Sequence, residues 1–396
     1  MRRTVIRGIG MTAFGRFPDR SIKAMAREAI ENALDDAGMA RDDIQAVFFA
    51  NAAAGVTTGQ ECIRGETVTH AMGFGALPVS NVENACASAG TALHLAWSSV
   101  AGGQYDTVLA VGAEKLWFED KTKSFSAFIG GMDLDYAVLE DGAGTVRSPF
   151  VDRYAKVGRT LIDRGMTRRG LAAVAAKAHH NGSLNPLAQR QKARSTDEVL
   201  NARLVVDPLT VLMCSPVGDG AAAAIVSAGD RTPGRRDITI LASQLRSLPA
   251  EPSGSSDSHS YSAQAAFEQA GIGPQDLDFA EVHDATSPGE VMSWVEAGLC
   301  PAGDEERWAL DGVTHLDGPL PVNPSGGLVA RGHPIGATGL AQVYEAVLQL
   351  RGEAGPRQLP EPRVAMSQCG GGLVRDTTAV SCAHILAAAQ PNARPR

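Results

Sequence analysis

Residues Arg27–Asn51 read REAIENALDDAGMARDDIQAVFFAN, and Ser260–Asp284 read SYSAQAAFEQAGIGPQDLDFAEVHD. At one constant offset the two segments share Ala33/Ala266, Ala37/Ala270, Gly38/Gly271, Asp43/Asp276 and Ile44/Leu277. Each scans as a helix ending at a glycine C-cap, a polar turn, then a short apolar strand. A looser correspondence follows in the same order. Cys86–Gly102 is an Ala-rich helical run before an apolar strand at Asp106–Gly112, and His333–Gly352 is another before Arg363–Gln368. Two repeats in one order predict an α/β fold of two similar halves built from helix and strand layers. Between them lies Trp117–Val206, with a good helix at Leu171–His180 and a breaker cluster at Asn181–Pro186. Ser215–Val226 then returns to small and apolar residues, as for a strand re-entering the core. The middle therefore reads as an insertion into the first half.

The chain has 396 residues, enough for two or three units on a prior of about 150 residues per domain. A formal net charge of −8 argues against a general nucleic-acid binder. Six scattered cysteines without a C-x-x-C pair indicate neither a zinc site nor a disulfide framework, so no metal is expected and a reducing compartment is. Thr4–Gly10 is too short and glycine-broken for a signal segment, and no run reaches the roughly 18 apolar residues of a membrane span. Pro391–Arg396 reads as a polar tail. The expectation is a soluble cytoplasmic protein without membrane or nucleic-acid partners. Val151–Arg203 holds eleven Lys/Arg and only four acids. Such a segment either attracts a phosphorylated ligand or is a set of solvated helix faces.

Four stretches carry candidate chemistry. In Glu83–Gly90, ENACASAG, Cys86 sits where a strand-like run, Leu77–Val82, gives way to a helix from Ala87. A thiol at a helix N-terminus feels the positive end of the dipole, which favours thiolate; the alternative is a buried small hydrophobe. In Asn323–Gly339, NPSGGLVARGHPIGATG, Pro334 fits a first helical position, which places His333 near an N-cap, the counterpart of Cys86. Two such ends meeting at a pseudo-twofold axis would set imidazole beside thiol; the alternative is a solvated turn. In Ser367–Gly372, SQCGGG, three glycines after a strand offer N–H donors to an oxyanion beside a second thiol, Cys369, or form a passive turn. In Glu281–Thr286, EVHDAT, His283 is an oxyanion donor or a surface residue.

Together, in this order and spacing, these motifs resemble the thiolase family over nearly the whole chain. RGMTRRGLAAVAAKAHHNGSLNP, VDPLTVLMCSPVGDGAAAAIV and LRGEAG look most like the branch related to sterol-carrier-protein thiolases. The resemblance implies a thiolase fold: two similar mixed α/β halves in a five-layer α-β-α-β-α sandwich with an inserted loop domain. The divisions it suggests are 1–118 with 205–232, an insertion at 119–204 covering coenzyme A, 233–390, and a tail at 391–396. It implies coenzyme A (CoA) as co-substrate with no permanently bound cofactor, acyl-CoA as partner, and a homodimer or homotetramer. Cys86 then matches the acyl-carrying nucleophile, His333 its activator, and Cys369 the second acid/base. His283 matches the position completing one oxyanion hole, and the N–H groups of Cys86 and Gly371 match the other. The implied reaction is thiolytic cleavage of a 3-oxoacyl-CoA or the reverse Claisen condensation, in fatty-acid or sterol side-chain degradation. One departure is plain: the branch commonly reads H-D-C-F where this chain has Ala285, so acid/base duty falls to Cys369. A ketosynthase-like enzyme working on acyl carrier protein and a non-catalytic lipid-binding subunit are the alternatives. Pro334 and the C-G-G of Cys369 favour a thiolase over the first. The intact Cys86, His333 and Cys369 set favours it over the second.

Overall fold

A computed structural model of the protein describes residues 1–229, 234, 236–251 and 258–388. The strands are β1 (Thr4–Met11), β2 (Val47–Ala50), β3 (Val79–Val82), β4 (Thr107–Glu114), β5 (Leu204–Val206), β6 (Leu209–Thr210), β7 (Gly220–Ala228), β8 (Ile238–Ser247), β9 (Phe279–Glu281), β10 (Val364–Val374) and β11 (Thr377–Ala388). The principal helices are α1 (Ile22–Ala37), α2 (Ser88–Ala101), α3 (Pro149–Asp163), α4 (Arg168–Ser183), α5 (Ser258–Ala270), α6 (Ser287–Glu296) and α7 (Thr338–Arg351).

The repeat read from the sequence is the repeat of the fold. The unit β1–α1–β2–β3–α2–β4–β7 returns as β8–α5–β9–α7–β10–β11. The counterpart of β3 is reduced to one parallel bridge between Ala280 and Val322. Both repeated helices end at a left-handed glycine, Gly38 at φ 63° and Gly271 at φ 70°, where a side chain would be strained. The two sheet halves join edge to edge. A short antiparallel contact, Val5 to Thr239 and Ile6 to Ile238, makes one nine-stranded sheet in the order β3-β2-β4-β7-β1-β8-β11-β10-β9.

Helix α1 covers the outside of the first half and α5 the outside of the second, while α2 and α7 lie between the halves. The five layers are therefore present. Fully buried Ala89, Ala92, Leu93 and Ala96 of α2 and Leu340, Ala341, Val343 and Val347 of α7 fill the central layer. Small residues are needed there. A Cβ on Gly339 would stand 2.5 Å from the Gly90 nitrogen, so the two central helices cross almost backbone to backbone. The segment between β4 and β7 is inserted in the first half but packs on the second. Tyr154 of α3 and Leu171 and Val174 of α4 share a core with Val282 and Trp294. Buried Lys177 of α4 pairs with Glu290 of α6 and donates to the Val322 carbonyl at 2.9 Å.

Several local expectations are corrected. Helix α7 begins at Thr338, so His333 and Pro334 lie in the preceding loop and Pro334 is not its first residue; a turn from Ala337 N–H to Pro334 C=O intervenes. The glycines of SQCGGG lie inside β10, not beyond it, because β11 pairs along its length. Helix α4 extends to Ser183, three residues into the expected breaker cluster. Strand β3 is four residues long, Val79–Val82. The expected boundary at 232/233 falls largely on residues outside those described, and the tail 391–396 lies wholly outside them. Among the described residues, no helix is long and apolar enough to cross a membrane.

Candidate active site

The site lies beyond the carboxyl ends of parallel strands, where ligands bind in open α/β sheets. Cys86 follows β3 and His283 follows β9. Cys86 sits in a single 3₁₀ turn, Ala85–Ala87, that runs directly into α2. Ala85 is held at φ 47°, a left-handed conformation costly for a residue with a Cβ. Hydrogen bonds hold that strain in place. Ala85 N–H donates to the Glu83 carboxylate at 2.6 Å. Asn84 N–H donates to the Ser88 hydroxyl at 2.9 Å, and that hydroxyl donates to Ala85 C=O at 2.6 Å.

The sequence-predicted residues converge. The Cys86 sulfur and one ring nitrogen each of His283 and His333 lie within 4.8 Å of one another. The His283 and His333 rings meet edge to face at 5.3 Å between centroids. The Cys369 thiol donates to Cys86 C=O at 3.1 Å and stands 3.6 Å from His283 Nδ1. Gly371 presses on the Cys86 turn: a Cβ there would lie 2.3 Å from Asn84 O, 2.6 Å from Ala87 N and 3.0 Å from Cys86 N. His333 Nδ1 is 2.7 Å from the Thr338 hydroxyl, which itself donates to Pro334 C=O at 3.0 Å. That hydroxyl has one proton, so it accepts from His333 Nδ1–H. This assigns the neutral imidazole a free Nε2 lone pair.

Burial dominates the electrostatics. It pushes the Cys86 thiol up to about 12, with the Glu114 and Glu83 carboxylates adding to the rise. The thiolate expected from the helix dipole is therefore not the resting state, because desolvation outweighs one turn's partial charge. Burial also holds His333 down to about 3, with the Arg331 guanidinium contributing. His283 is held well below the usual range by burial and then by His333 and His259, and Cys369 is pushed well above it by burial and then by Cys86. The resting pair is a neutral thiol beside a neutral imidazole. Alkylation of Cys86 by iodoacetamide should keep rising roughly tenfold per pH unit, about 100-fold from pH 7 to 9, without a plateau near neutrality. Peptide mass analysis separates Cys86 from exposed Cys62. A plateau below pH 8 would contradict the neutral pair.

A cavity of about 410 Å³ opens onto these groups. Its lining includes Phe128 and Phe150, edge to face at 6.3 Å, and the cations Arg16, Lys121, Arg147, Arg153, Arg190 and Arg203. Arg190 donates to the carbonyls of Cys214, Val329 and Val211 at 2.8, 3.1 and 3.3 Å, and burial lowers it to about 10. A desolvated guanidinium held by carbonyls is suited to an anionic ligand. No acidic residue lines this cavity among the described residues. Sequence reasoning did not find His259, whose ring lies 6.1 Å from that of His283, nor Thr338, Glu114 or Arg190. His259 lies in the first turn of the repeated helix α5, one residue before the segment Ser260–Asp284 in which the repeat was read.

Two similar half-units meet at a buried thiol–imidazole pair, with a second thiol beside it. The thiolase N-terminal domain model matches residues 4–230, and the thiolase C-terminal domain-like model matches 242–384. The chain is 36% identical over 384 residues to an acetyl-CoA acetyltransferase of Methanothermobacter thermautotrophicus, covering 94% of this chain and 97% of that one. It is 33% identical over 391 residues to sterol carrier protein 2 of Bos taurus, covering 94% and 71%. The fold matches an Ltp2-ChsH2(DUF35) aldolase with TM-score 0.79 at 22% identity, covering 98% of each chain. It also matches human mitochondrial 3-ketoacyl-CoA thiolase in complex with CoA, with TM-score 0.70 at 14% identity and 98% of each chain covered. The chain belongs to the thiolase family.

Proposed function

We propose that this protein is a CoA-dependent thiolase that cleaves a 3-oxoacyl-CoA, or forms one in reverse, through an acyl-Cys86 intermediate. The observation that carries the reading is the meeting of Cys86, His333 and His283 in one cavity, with the Cys369 thiol 3.6 Å from His283 Nδ1. In the forward direction His333 Nε2 takes the Cys86 proton and the sulfur attacks the 3-oxo carbon. The C2–C3 bond then breaks, leaving acyl-Cys86 and an enolate that takes a proton from Cys369. In the second half, Cys369 takes the proton of incoming CoA, whose sulfur attacks the thioester. Acyl-CoA departs, and Cys86 recovers its proton from His333. His283 and His333 face the enolate oxygen; the N–H groups of Cys86 and Gly371 face the tetrahedral oxyanion. The lining cations, Arg190 foremost, hold CoA phosphates, and the inserted segment 119–204 covers that carrier.

We read the working form as a cytoplasmic homodimer or homotetramer. Leu134, Tyr136 and Val138 of the inserted segment are exposed large apolar side chains, and such an assembly covers them.

The test is intact-protein mass after brief incubation with a panel of acyl-CoA and 3-oxoacyl-CoA esters. An acyl adduct discharged by free CoA supports the reading, and the best ester names the substrate class. No adduct from any CoA ester, with an adduct from acyl carrier protein, would overturn it. Cys369→Ser separates the two halves. Acylation of Cys86 from a simple acyl-CoA should survive, while condensation and α-proton exchange fall by roughly 10²–10⁴-fold, the usual worth of a general acid/base.

A further inference from the structure

Among the buried acids that take no part in these steps, Glu114 stands nearest the Cys86 turn in its contacts. Glu114 ends β4, is fully buried, and makes no ion pair among the described residues. Its carboxylate is satisfied instead by donors from two separate places. Asn51 Nδ2 donates at 2.8 Å and Ala52 and Ala53 N–H at 2.9 and 3.2 Å, all beyond the end of β2. Gly336 N–H donates at 3.2 Å from the loop that carries His333. Glu114 thereby ties the first half to the loop of the second. Ala53 and Ile335, next to these donors in the chain, share one buried apolar cluster with Cys86. Only glycine fits at 336, since a Cβ there would come within 2.8 Å of the carboxylate.

We propose that Glu114 is a positioning residue with two effects: it clamps the His333 loop against the Cys86 turn, and its charge holds the resting nucleophile as a thiol. The inference rests on Cys86 being the nucleophile. An uncompensated carboxylate behind a dry thiol opposes thiolate formation. The sign agrees with the rise of Cys86, to which Glu114 is the largest contributor after burial. Burial also lifts Glu114 itself to about 7, so its charge develops near neutrality. The other titratable or charged groups on the elements around it are Glu83, Lys115, His333, Arg331 and Arg64. Lys115 turns away to Asp219 at 3.2 Å, and Arg64 donates to the two Asn51 oxygens and to Glu61 C=O, each at 2.9 Å.

Two variants separate charge from reach. Glu114→Gln removes the charge but keeps the length. Cys86 alkylation by iodoacetamide at pH 8 should rise three- to tenfold with its pH profile displaced downward, while turnover falls at least tenfold as the amide N–H₂ meets three N–H donors. Glu114→Asp keeps the charge but shortens the clasp, so the alkylation profile should match wild type while turnover falls. A purely structural residue would slow alkylation or leave its profile in place in Glu114→Gln, and either result overturns the proposal. If Glu114→Gln does not fold, a displaced alkylation profile in Glu114→Asp overturns it instead. Alkylation needs no substrate, so this outcome is independent of whether the CoA reaction is correctly assigned.

Discussion

Cys86→Ala should show no acyl adduct with any ester that labels the wild type, and turnover should fall by roughly 10⁴-fold or more. Losses of that size follow removal of a nucleophile whose partners act as a unit. The structure gives the variant a clean reading. Cys86 shares an apolar cluster with Ala53, Leu116, Ala127 and Ile335, and its sulfur lies within 4.8 Å of a ring nitrogen each of His283 and His333, so losing the sulfur leaves a small gap beside two imidazoles. The destabilisation expected is about 1 kcal/mol, small beside the catalytic loss. Melting temperature and intact mass, measured together, separate the two. Acylation surviving elsewhere, at Cys369 for example, would reassign the nucleophile.

Gly371→Ala tests the architecture of the site. The added methyl would meet Asn84 O and Ala87 N, both backbone atoms of the strained turn that carries Cys86. Backbone cannot swing aside as a side chain can, so the turn must shift. We expect turnover to fall roughly 100-fold, the cost of about 1 Å of misplacement, with a stability loss of about 1–3 kcal/mol. Gly75→Ala is the control: a Cβ there meets nothing within 4 Å, and activity and melting should be unchanged. Equal kinetics in the two variants would mean that the Gly371 contact does not position the nucleophile.

Much of the arrangement was legible in the chain because the fold duplicates one unit. Gly38 and Gly271 close equivalent helices, and the repeat alone placed Cys86 and the His333 loop at equivalent positions. Cys86, His283, His333 and Cys369 could be selected because thiols and imidazoles flanked by glycine and alanine are chemically conspicuous. Glu114, Arg190 and Thr338 were not selected, for a physical reason: each looks like an ordinary core or surface residue until its partners arrive from elsewhere. Glu114 meets Gly336 across 222 positions of chain, and Arg190 meets Val329 across 139.

Local signals misled where tertiary contact overrode them. Pro334 advertises a helix start, yet the loop extends to Ala337 because Gly336 is drawn onto Glu114 and Thr338 onto His333. The glycines of SQCGGG advertise a turn, yet they continue β10 because β11 pairs beside them and the Cys86 turn needs the space a side chain would take. The sequence by itself determined the two-fold repeat, the inserted segment and the reactive groups, since periodicity, capping and composition are local properties. Tertiary structure alone decided the charge state of those groups. The dipole at the start of α2 argues for thiolate, but that partial charge acts in a site whose desolvation is set by residues from both halves, and burial leaves Cys86 a thiol beside a neutral His333.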